Sequence, residues 1–119
     1  MDVGSELESK REAIIARVLE VIGPVYPDQP MTERRQFAAG YLDTIQASAK
    51  GDNGPRDEYL ATVIPGLKTT GTMGLGAILG HLIRIQMIIA AEIANENLSW
   101  HTDFAHEYTN LLVAEWERA

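Results

Sequence analysis

Cysteine is absent from this chain of 119 residues. Its absence excludes disulfides, zinc fingers, iron–sulfur clusters and cysteine nucleophiles. Basic residues are scarce, with 10 Lys and Arg against 17 Asp and Glu, for a net charge of −7. Such a charge repels phosphate backbones and anionic lipid, which argues against nucleic acid and membrane surfaces as partners. No secretory signal is visible: Met1-Asp2-Val3-Gly4-Ser5-Glu6 is acidic and lacks the basic-then-apolar order. A cysteine-free, acidic chain suits a reducing cytoplasm, and that is the expected location. Internal repeats, low-complexity tracts and the alternating pattern of hairpin strands are all missing.

What is present is ordinary globular composition, 45% hydrophobic and 23% charged, which excludes wholesale disorder. The length fits one domain over residues 1–119. Apolar residues recur at helical spacing in five segments, so the expected fold class is all-α, with four to five main helices. The first opens on a Ser5-x-x-Glu8 capping box, carries Leu7, Ile14, Val18, Val21 and Ile22, and stops at Gly23-Pro24. Prolines 24, 27 and 30 then mark an ordered loop. The second is capped by Thr32, presents Phe37, Ala38, Tyr41, Leu42 and Ile45, and ends at Gly51-Asp52-Asn53-Gly54-Pro55. The third runs from about Pro55 to Lys68, with Pro65 expected to kink or split it.

Thr69-Thr70-Gly71-Thr72 breaks the chain before a long fourth segment, from about Met73 to Asn97. Leu75, Ile78, Leu82, Ile85, Ile89 and Ile93 line one side, while Leu79, Ile83 and Ile88 lie elsewhere on the cylinder. A helix apolar on several sides is expected to be buried on several sides. The apolar stretch Leu75 to Ala94 contains Arg84 near its centre, which would cost about 2.5–3.5 kcal/mol in a membrane, so a soluble helix is the better reading. The last segment, about Ser99 to Arg118, carries Phe104, Tyr108, Leu111, Leu112 and Glu115 on one stripe, with Trp100 and Trp116 near its ends. No Gly or Pro stops it after Trp116, so it is expected to continue into a further domain. The apolar faces of the last two helices exceed what a small monomer covers, which points to a homodimer.

Catalytic chemistry finds no support. Gly74-x-Gly76-x-x-x-Gly80 superficially matches a dinucleotide fingerprint, but no buried strand precedes it. Gly76 and Gly80, four apart, instead share a helix face that admits a close neighbour. His101 and His106 are five apart, off the spacing that aligns two metal ligands on a helix, so no metal is expected. His81 beside Arg84 reads as a partly buried polar pair or as a pocket lining with Tyr41. No spacing makes a nucleophile triad, and the carboxylates spread over solvated faces.

One resemblance ties these pieces together. It rests on Gly40-Tyr41-Leu42-Asp43-Thr44-Ile45 with the turn Lys50-Gly51-Asp52-Asn53, and on Leu67-Lys68-Thr69-Thr70-Gly71 before the apolar helix opening Thr72-Met73-Gly74-Leu75. The last helix, ending Leu111-Leu112-Val113-Ala114-Glu115-Trp116-Glu117, completes it. Over about residues 35 to 119 the chain resembles the N-terminal sensory domain of RsbR-type stressosome proteins, a globin-like fold that lacks haem. Ile14-Ile15 and Val18-Leu19 stand where that family often carries a Trp, and the long helix is rich in Ile. Between Lys50 and Gly80 there is no His or Cys to serve as a proximal haem ligand. The resemblance implies a dimer, no cofactor, and a signal passed through the last helix to a STAS domain of the same polypeptide and to other stressosome subunits, controlling a switch kinase. Candidate dimer and signalling contacts are Gly76, Gly80, Phe104, Tyr108, Leu111, Leu112 and Trp116. Candidate pocket residues are Tyr41, His81 and Arg84. A haem- or ligand-binding globin sensor and a stand-alone structural helical module are the alternatives.

Overall fold

A computed structural model describes residues 2–22, 31–71 and 73–119. Residues 23–30, where an ordered loop is expected, Thr72, and the side chains of Ile22, Met31, Thr32, Glu33, Arg34 and Phe37 lie outside the described residues. Five helices follow one another: α1 (Val3–Ile22), α2 (Met31–Ala49), α3 (Gly54–Thr70), α4 (Leu75–Glu92) and α5 (Asn95–Arg118). Among the described residues there is no strand, and the all-α expectation holds.

Several boundaries differ from the sequence expectation, each for a local reason. α1 starts two residues before Ser5, because Asp2 is the cap. Asp2 Oδ1 accepts the Ser5 N–H at 2.8 Å, and that bond holds the Asp2 carboxyl below its usual pKa. α3 runs unbroken through Pro65. Proline removes one backbone donor there, and Ala61, whose carbonyl loses its partner, is on the exposed side of the helix. Gly71 closes α3 in the left-handed region, φ 67°, its N–H bonded to the Leu67 carbonyl at 3.2 Å. α4 ends at Glu92, five residues before the expected Asn97, and α5 begins at once at Asn95.

Each helix packs mainly against two others, in the cyclic order α1, α2, α3, α5, α4 and back to α1. The core lies inside this ring. Leu7, Ile14, Ile15, Leu42, Ile45, Leu60 and Ile89 are fully buried there. α5 is the longest element; its 24 residues span about 36 Å against a longest molecular dimension of 41 Å. A rim of polar contacts joins α1 to α2, including Arg11 to Asp43 at 2.8 Å and Arg35 to Glu12 at 2.5 Å.

Candidate functional site

α4 carries two apolar stripes on opposite sides. Ile78, Leu82, Ile85 and Ile89 repeat at steps of four, three and four, and all are buried in the ring. Gly76, Gly80, Ile83 and Met87 repeat at the same steps, two residues out of phase, and all are exposed. Ile83 is 50% and Met87 65% exposed, the two large hydrophobic side chains left open to solvent among the described residues. A Cβ built at Gly76 or Gly80 would meet nothing within 4 Å, so neither glycine is needed for packing inside the chain. The expectation that α4 is buried on several sides is therefore corrected. One side is core, and the other is an uncovered apolar face whose only charge is Arg84. By length and a mean hydropathy of 1.4, α4 would also pass as a membrane span, yet its core stripe is committed to the ring.

The stripe expected on the last helix divides differently. Phe104, Tyr108 and Leu112 face inward and are buried, which takes them out of reach of a partner; Leu111 and Trp116 are half-buried. The helical period is the same whether a stripe meets its own core or a second copy, so spacing alone did not separate them. Phe104 and Tyr108 form an aromatic cluster with Tyr41. Tyr41 stands edge-on to Tyr108 at 5.0 Å and to Phe104 at 6.5 Å, and Trp100 stacks on Phe104 at 5.4 Å.

α5 is tied by polar contacts to each helix that flanks it. Gln86 on α4 donates to the Ala105 carbonyl and to the Thr109 hydroxyl, both at 3.3 Å. Buried Arg56 at the start of α3 reaches Glu107 at 3.4 Å and Asp57 at 2.9 Å. Lys68, in the last turn of α3, donates to the Trp116 carbonyl at 2.8 Å and stands 5.4 Å above the Trp116 ring. The first turn of α5 is held from α1 by Glu6, which accepts the Ala94 N–H at 2.9 Å.

The candidate pocket residues do not share one environment. Tyr41 is in the core, with its phenol pushed well above its ordinary pKa by burial and eased slightly by Gln86. Arg84 is exposed, and His81 is half-buried on the same helix. Burial, then the Arg84 charge, holds the His81 imidazole below its ordinary pKa. An open groove lies elsewhere, between α1 and α2, lined by Glu8, Asp43, Gln46, Ala47, Lys50 and Asp52. All three of its acids are engaged, since Glu8 accepts from Gln46, Asp43 pairs with Arg11 and Asp52 accepts the Gly54 N–H. Among the described residues no group of three or more His, Cys, Asp or Glu is placed to hold a metal ion. His101 lies within the bundle, 2% exposed, its Nε2 without a hydrogen-bond partner and its pKa lowered by burial.

Sequence reasoning missed Met87 and did not set Ile83 beside the glycines. The signal was available in the second stripe at positions 76, 80, 83 and 87. It also missed Glu6, Lys10 and Gln86, whose roles depend on which helices become neighbours. No family model, no curated protein and no solved structure matches this chain.

Proposed function

We propose that this chain is a signal-input domain of the stressosome type, globin-like in architecture and without haem. It forms a homodimer and passes a change in packing through α5 to a STAS domain of the same polypeptide, which acts with other stressosome subunits in the cytoplasm to control a switch kinase. The observation that carries this reading is the exposed apolar face of α4, formed by Gly76, Gly80, Ile83 and Met87. Apolar faces of this kind mark interaction surfaces.

A second copy of the chain is the proposed partner. In an antiparallel pair of α4 helices, Met87 of one copy would sit over Gly80 of the other, where the missing Cβ leaves room. The face then complements itself, as a two-fold interface requires. Signalling needs two packings of that interface separated by a small free energy, and couplings of about 1–3 kcal/mol are typical. Gln86 and the short joint at Ile93-Ala94 supply the mechanical link from α4 to α5.

Sedimentation equilibrium, with an absorption spectrum of the same sample, tests this reading. A colourless dimer is expected. A strictly monomeric chain removes the dimeric sensor, and a Soret band transfers the function to a haem-binding one.

A further inference from the structure

The joint between α4 and α5 is only two residues long. Ile93 and Ala94 are both extended, with ψ of 154° and 151°. Neither Gly nor Pro marks the break, and the N-cap residue Ala94 makes no side-chain cap hydrogen bond. The stop is made by another helix. Glu6 of α1 is buried, and its Oε1 accepts both the Ala94 N–H and the Asn97 amide Nδ2, each at 2.9 Å. Its Oε2 accepts from Lys10 Nζ at 3.2 Å, and Lys10 Nζ donates in addition to the Glu92 carbonyl, the last of α4.

The arrangement is a capping box divided between two helices. In a single helix, the third residue supplies the carboxylate that receives the cap N–H. Here the third residue is Asn97, and the carboxylate comes from α1 instead. The charges suit the helix ends they meet. The anion Glu6 stands at the N-terminus of α5, and the cation Lys10 at the C-terminus of α4. Hydrogen bonds from Asn97 and then Ala94 hold the Glu6 carboxyl below its ordinary pKa, as a charge-matched site should.

We propose that the Glu6–Lys10 pair is a two-ended clamp on the α4–α5 joint, so that breaking these contacts frees the joint while α1 stays seated in the core through Leu7, Ile14 and Ile15. α1 thereby becomes the element through which an input can reset the angle at which α5 leaves α4. The device lies within one copy of the chain and stands independently of the dimer.

Native-state hydrogen exchange of the Ala94 amide reads the clamp directly. In Glu6→Gln, exchange at Ala94 and in the first turn of α5 is expected to quicken about tenfold or more, as losing a charge-assisted bond implies. Amides of Ile45 on α2 and Leu60 on α3 should keep their wild-type rates. Lys10→Met, which leaves both Glu6 bonds to α5 in place, should loosen the joint less. The double variant Glu6→Lys with Lys10→Glu keeps an ion pair but reverses its charges at both helix ends. It should open the joint at least as far as Glu6→Gln. Wild-type protection of Ala94 in Glu6→Gln or in the swapped chain would overturn the proposal. So would a rise in exchange spread evenly over α2 and α3.

Discussion

Tyr41 of α2 meets Tyr108 of α5 edge to face across the helical ring, centroids 5.0 Å apart and planes at 88°. These two helices are not principal neighbours, so the ring pair links them through the interior. Both side chains are almost wholly buried. Truncating either to Ala should destabilise the fold by about 3–5 kcal/mol, as for other buried aromatics, readable by urea denaturation. A loss under 1 kcal/mol would place the tyrosines outside the core.

Burial of His101 sets a pH dependence. Its folded pKa lies below the ordinary 6.5, so the unfolded chain binds more protons than the folded one near that pH. Stability should therefore fall as pH drops through 6.5, and keep falling until His101 protonates in the folded state. One such proton contributes at most about 1.4 kcal/mol per pH unit. The less buried His81 adds in the same direction. Asp2 and Glu6, whose folded pKa values are depressed below 3.8 and 4.5, lose their contributions only at more acid pH. Denaturation at pH 5, 6 and 7.5 should show the slope, and His101→Gln should flatten it. An unchanged slope in that variant would assign the dependence elsewhere.

The glycines separate packing inside the chain from packing outside it. Gly66 on α3 and Gly80 on α4 both have open space where a Cβ would stand. Either one changed to Ala should stabilise the monomer by about 0.5–1 kcal/mol through helix propensity. Gly80→Ala should at the same time weaken self-association, whereas Gly66→Ala should leave it untouched. Gly40 differs, because its Cβ would meet the Tyr59 ring at 3.4 Å, in van der Waals contact rather than in open space. Thermal melts combined with sedimentation measure both effects; equal dimer strength in the two variants would remove Gly80 from the interface.

The helices themselves were legible in the sequence because period is local; the N-terminal caps were not, since Asp2 rather than Ser5 caps α1 and Ala94 offers α5 no side-chain cap. Gly71 ended α3 where the glycine signal placed the break. The stop of α4 at Glu92 was not legible, since it depends on Glu6 and Lys10 arriving from α1. Periodicity identified Phe104, Tyr108 and Leu112 as one stripe but not its destination, which proved to be the chain's own core. The α4 face was half-read: Gly76 and Gly80 were singled out, but Ile83 and Met87 fall on the same side only once the second stripe is drawn.

The proposed function requires that two copies meet through the exposed face of α4. Sedimentation equilibrium of the wild-type chain beside Met87→Glu tests it most directly, with circular dichroism to follow the fold. Met87 is 65% exposed, so the substitution should leave helicity and melting unchanged while converting a dimer to a monomer. A wild-type chain that stays monomeric at high concentration, or a Met87→Glu chain as dimeric as wild type, would contradict the claim.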